Sequence, residues 1–145
     1  MVCLIQRVTQ AKVTVNNQVI AEINSGLLVL TAFQPNDDSK NIIKMTKKLL
    51  NYRLFPDDND KMNLNVQQIG GDVLLVPQFT LAANTQKGLR PSFSSSAKPA
   101  IATMLFDEFV QNSRLLYPKI QTGKFGADMQ VSLINNGPVT FWLET

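Results

Sequence analysis

The sequence predicts an α/β fold, a single mixed domain over residues 1–145 with antiparallel-rich, barrel-like β-sheets and two main helices. Three observations lead there. Strand-like alternation and short apolar runs occupy both ends of the chain and its middle, in the order strands, helix, strands, helix, strands. Helical spacing appears in two stretches, from about Lys40 and from about Ala100. No internal repeat, linker or low-complexity tract divides the chain. Its 145 residues suffice for one hydrophobic core, and 44% apolar against 17% charged residues mark a globular chain rather than a disordered one.

Each element has a local reason. "VCLIQRV" and "AKVTV" read as two strand segments, and Asn16-Asn17 as a tight turn, because asparagine tolerates positive φ. "QVIAEI" returns as the partner, and the unbroken apolar "LLVLTAF" predicts a strand covered on both faces. "QPNDDS" ends in good N-cap residues. The helix after it sets Ile42, Met45, Leu49 and Leu50 against an outer face bearing Lys44, Lys47 and Lys48. "YRLF" reads as a short strand and "PDDNDKMNLN" as a polar loop.

Gly70-Gly71 predicts a turn and Asp72 the start of a strand, with Pro77 marking an edge position or the strand's end. "NTQKGLRPSFSSSA" is a loop long enough to imply a purpose. Pro99 sits where a second helix begins, and Ile101, Leu105 and Phe109 should share one face of it, up to Tyr117. "QTGKFGADM" reads as a loop. The closing run "VSLINNGPVTFWLET" alternates like two strand segments around Gly137-Pro138, and local rules read that dipeptide as a turn.

Composition excludes several chemistries. The chain has no histidine, which removes Ser-His-Asp and Cys-His catalysis in their usual forms and nearly all zinc sites. Chemistry here must use carboxylates, hydroxyls, lysines, backbone amides or the substrate's own groups. The single cysteine, Cys3, forms no internal disulfide and reads as a small core residue. The N-terminus lacks the pattern of a signal peptide and no apolar run is long enough to span a membrane, so a cytoplasmic protein is expected. The net charge of +3 would support nucleic-acid binding only through a local cluster of basic residues.

The acidic run Asp57–Asp60 fails as a calcium loop: counting from Asp58 puts Asn63 at the glycine position and Ile69 at the glutamate position, so it reads as a solvated turn. Gly70-Gly71 lacks the lysine and hydroxyl of a phosphate loop. In "KGLRPSF", Lys87, Arg90 and Phe93 offer two cations and a stacking ring, as a single-stranded RNA end requires; an ordinary solvated loop is the other reading. In "VPQFTL", Thr80 is a weak nucleophile with no base beside it, while backbone amides at a strand end could stabilise an oxyanion.

"LIQRV" with "AKVTV", "VPQFTLAA", "KGLRPSF" and "GKFGADMQVSLINNGPVTFWLE", in that order, resemble the D-aminoacyl-tRNA deacylase family from Met1 to Glu144. The resemblance implies a cytoplasmic, homodimeric ester hydrolase that needs no cofactor or metal and removes D-amino acids, and glycine, from the 3′ end of tRNA. It implies that Gln78, Phe79 and Thr80 form the catalytic segment. It also implies that Gly137 and Pro138, joined by a cis bond, reach into the partner's site, where an L side chain collides with their carbonyls. Lys87, Arg90 and Phe93 would bind tRNA. Pro77 stands where the family's motif usually begins with serine; a related deacylase family with looser chiral selection carries proline there. Two other readings stay open, a non-catalytic RNA-end binding module and a structural dimer.

Overall fold

The computed structural model describes residues 1–86 and 88–145. The two N-terminal segments join into one strand, β1 (Val2–Val15), followed by β2 (Gln18–Ile23) and β3 (Gly26–Ala32). Asn16 and Asn17 both take positive φ, 49° and 63°, which is the hairpin turn their amide side chains favour. Helix α1 (Ser39–Asn51) starts at Asp38, whose carboxylate accepts from the N–H groups of Lys40 and Asn41, while the Asn41 side chain accepts from the Asp38 N–H. That reciprocal cap is worth about 1 kcal/mol.

Strands β4 (Phe55–Pro56) and β5 (Met62–Leu64) make a small separate hairpin. Only the end of "YRLF" is therefore extended, and the expected polar loop contains a strand. Asp57 organises the turn between them by accepting from the Asn59 and Lys61 N–H groups and the Asn63 amide. Those backbone donors, Asn59 first, lower its carboxyl pKa.

Strand β6 (Asp72–Pro77) leads to a 3₁₀ turn (Phe79–Ala82), and α2 (Pro99–Leu116) to β7 (Ile120–Thr122) and β8 (Gln130–Glu144). The strand thus ends at Pro77, and that proline lies at a terminus, not on an edge strand. Gln121 and Thr122, expected in a loop, belong to β7. Within α2 the buried residues are Ala102, Leu105, Phe106, Phe109, Val110 and Ser113. This centres the apolar stripe one residue past Ile101, which is left 44% exposed.

The main sheet runs β2-β1-β3-β6-β7, with β8 also pairing β1. β1 pairs antiparallel with β2, β3 and β8; β3, β6 and β7 are mutually parallel. Parallel neighbours need crossovers, and α1 and α2 supply them on one face of the sheet. β2 curls back toward β6 and β7, so the sheet nearly closes into a barrel. Beneath the helices, Ile5, Leu27, Leu49, Leu75 and Phe109 form one core; Val8, Val13, Leu28, Leu74 and Val76 form the other, inside the curl. β3 is buried on both faces, as its unbroken apolar run predicts. Gly26 is required where β3 and β6 begin, since a Cβ there would stand 1.9 Å from the Asp72 carbonyl oxygen.

The expected turn at Gly137-Pro138 is absent. β8 stays one strand, antiparallel to β1 on both sides of the dipeptide. Thr140 opposes Gln6 and Asn135 opposes Val8, so residues 136–139 face Arg7 alone and bulge out of the ladder.

Candidate active site

The carboxyl ends of β3, β6 and β7 lie side by side, the place where open α/β sheets present ligand sites. Pro77 has no N–H to continue the ladder, and the Gln78 N–H makes the last bond, 2.7 Å to the Thr31 carbonyl. The chain then tightens into the 3₁₀ turn, with Leu81 N–H donating to Gln78 O and Ala83 N–H to Thr80 O, both at 3.1 Å. A turn of this kind leaves its first donors without internal acceptors. Neither the Phe79 nor the Thr80 N–H has a hydrogen-bond partner among the described residues. The Gln78 side-chain amide donates to the Thr80 hydroxyl oxygen.

An apolar cavity of about 430 Å³ opens beside this turn, lined by Pro77, Gln78, Phe79, Pro99, Phe125 and Met129 among others. That volume suits a nucleoside or an amino-acid side chain. Phe93 packs on Phe79 with ring centroids 5.1 Å apart, so one predicted RNA-binding residue is brought to the segment expected to be catalytic. Arg90 is exposed on the same loop, whose base is closed by paired bonds between Asn84 and Ser92. Lys87 lies outside the described residues.

Gly137 and Pro138 form a second locus. Their peptide bond is cis and Gly137 has φ +141°. Arg7 braces the bulge: its Nε donates to the Asn136 carbonyl at 2.9 Å and its Nη1 to the Leu54 carbonyl at 2.7 Å. Asn135 spans the neck, its Oδ1 accepting from the Val139 N–H at 2.7 Å and its Nδ2 donating to the Thr140 hydroxyl at 3.0 Å. Within one chain this bulge does not line the cavity. Pro77 is level with Thr31, Cys3 and Leu143 across the sheet, whereas the bulge is level with Arg7, four residues further along β1.

The whole chain has close counterparts. Residues 4–144 match the family described as D-Tyr-tRNA(Tyr) deacylase. A D-aminoacyl-tRNA deacylase of Hydrogenovibrio crunogenus is 62% identical over 149 aligned positions, covering 100% of both chains. One of Haemophilus influenzae is 58% identical over 143 positions, covering 99% of each. This chain belongs to the D-Tyr-tRNA deacylase family. It is a family of hydrolases. A solved structure called the c-Myc DNA Unwinding Element Binding Protein has the same fold at TM-score 0.96 and 37% identity, covering 100% of this chain and 99% of that one.

Family membership leaves the roles of individual residues to geometry. Cys3 lies in the core beneath the helices, its thiol 3.5 Å from the Thr31 hydroxyl, and burial pushes its pKa from 9.0 up to about 12 and keeps it an unreactive thiol. Arg7, Asn135, Phe125 and Met129 escaped the sequence reading as site residues. Arg7 looked like an ordinary strand charge, and Phe125 like part of a glycine-containing loop. Nothing local to either residue says what it will face.

Proposed function

We propose that this protein hydrolyses the ester joining a D-amino acid to the 3′ end of tRNA, releasing tRNA and the free amino acid. The observation that carries this reading is the pair of unpartnered Phe79 and Thr80 N–H groups beside an apolar cavity, in a chain of this family. Water attacks the ester carbonyl carbon, negative charge collects on its oxygen, and the two N–H groups stabilise that charge. Collapse expels the ribose oxygen, which takes up a proton. The ester is already activated, and the neighbouring 2′-hydroxyl assists the attacking water, so no side-chain base is required. The Gln78 N–H is spent on Thr31; the reaction uses the next two amides, with Gln78 holding the Thr80 side chain.

Gly137 and Pro138 act in the site of a second copy of the chain, which makes the working unit a homodimer. Their carbonyls would meet an L side chain, whereas a D side chain points away and glycine has nothing to exclude. Rejection by a braced main chain tolerates many D-amino acids, because no pocket is fitted to one of them. Lys87, Arg90 and Phe93 hold the RNA end. An aminoacyl-tRNA substrate places the reaction in the cytoplasm, where translation uses it.

The test is release of amino acid from D-, L- and glycyl-tRNA, with binding measured in parallel. D-aminoacyl- and glycyl-tRNA should be cleaved and L-aminoacyl-tRNA spared. Binding without release would replace this reading by an RNA-end binding module. Equal release of D and L would mean a deacylase of relaxed selectivity, and Pro77→Ser would be the variant to compare.

A further inference from the structure

Helix α1 carries Lys40, Lys44, Lys47 and Lys48 and no carboxylate. The whole chain holds 14 basic and 11 acidic residues, so without these four the balance is ten against eleven. The net positive charge of the protein is therefore gathered on one helix. All four lysines are exposed, and among the described residues the one ion pair is between the Met1 amino group and Asp37. Lys48 donates to the Glu144 carbonyl at 3.1 Å; the others point to solvent without an acceptor among the described residues.

This arrangement works against the helix itself. Lys40 and Lys44, and Lys44 and Lys48, are like charges one turn apart, and such pairs destabilise. Lys40 also sits in the first turn, at the positive end of the helix dipole, where a cation is disfavoured. A solvated face needs charge of either sign, not four cations at opposed spacings. A polyanion laid along the helix would remove both penalties.

The helix is also placed to continue from the cavity. α1 and α2 both descend from the carboxyl ends of the parallel strands, so their first turns lie together at the site end of the fold. Ala97, in the cavity wall, donates its N–H to the Phe33 carbonyl at 2.9 Å, just before the α1 cap. Exposed Lys98 follows Ala97 at the rim, and Lys40, Lys44 and Lys47 then run away from it over about 10 Å of helix rise.

We propose that the lysine face of α1, entered at Lys98, binds the phosphate backbone of the tRNA stem behind the 3′ end held in the cavity. This rests on the deacylase reading above, and adds a contact that the ester and the terminal nucleotides do not need. The chemistry is charge neutralisation with counter-ion release, independent of sequence.

The experiment measures binding of uncharged tRNA, and of a short single-stranded 3′-end oligonucleotide, against salt concentration. The variant is Lys40→Gln with Lys44→Gln and Lys47→Gln. We expect about ten-fold weaker tRNA binding at low salt and a log–log salt slope shallower by about 2 to 3. Binding of the oligonucleotide should be unchanged, and KM for D-aminoacyl-tRNA should rise without a fall in kcat. Arginine at the same three positions should restore tRNA binding, Lys61→Gln should leave it intact, and the thermal midpoint should not drop. An unchanged salt slope and affinity for tRNA would overturn the proposal. So would equal weakening with the oligonucleotide. Wild-type protein that releases no amino acid would sink the deacylase reading instead, while the slope with uncharged tRNA would still decide the lysines.

Discussion

The Gly137-Pro138 bulge and the segment from Gln78 to Phe93 lie outside regular ladders for opposite reasons. In the bulge side chains fix the main chain from both ends: Arg7 bridges the Asn136 carbonyl to the Leu54 carbonyl, and Asn135 ties the strand to itself across the neck. In the Phe79–Ala82 turn two adjacent N–H groups are left open among the described residues, and Phe79 and Phe93 meet at a tilt in the open, at 54% and 43% exposure. One backbone is fixed by its neighbours and suits exclusion. The other keeps donors in reserve and suits reception. Irregular backbone is thus not one property, and what matters is whether side chains brace it.

The sharpest way to break the contrast is to unbrace the bulge. Arg7→Ala removes two charge-assisted bonds, each worth about 1.5–3 kcal/mol. Denaturant unfolding should show a loss of about 3 kcal/mol, and the ratio of D to L release should fall more than about ten-fold. A destabilised variant with undiminished selectivity would separate the brace from the function. Gly137→Ala acts on the same place from inside. Its Cβ would meet Val139 Cγ2 at 2.6 Å and the Val139 nitrogen at 3.1 Å, in a φ of +141° that L side chains rarely adopt. A cost of about 1–3 kcal/mol and a shifted bulge should follow, seen as slower D release from a protein that still folds.

At the receptive turn the smaller effect is the informative one. Thr80→Ala leaves both N–H groups in place, so kcat should fall less than about five-fold, under about 1 kcal/mol of barrier. A folded variant with no activity would make the Thr80 hydroxyl the nucleophile. A further effect is confined to high pH and to the core. The folded Cys3 thiol keeps its proton to about 12, whereas unfolded chain loses it above 9.0, so stability falls across that window as pH rises. The unfolding free energy of Cys3→Ala, followed over the same range, should lack one proton's worth of that slope.

Several features were legible because they depend on near neighbours along the chain. The Asn16-Asn17 turn, the Asp38 cap, the doubly covered β3 and the end of β6 at Pro77 each follow from a few adjacent residues. The bulge was misread as a turn because the same alternation and the same Gly-Pro would serve either. The difference is made by β1, more than a hundred residues earlier, which pairs on both sides of it. Residues Gln78 to Thr80 could be picked out by resemblance, yet which of their amides is free depends on Thr31, a partner on another strand.

By itself the sequence determined the order of elements, the family, and a chemistry without histidine, since these follow from residue identity and local spacing. Only the tertiary structure decided where Arg7 points, which N–H groups stay open, and that the cavity and the bulge lie apart within one chain. Those are consequences of long-range strand pairing. Pairing spends hydrogen-bonding groups in a pattern that no short stretch of the chain contains.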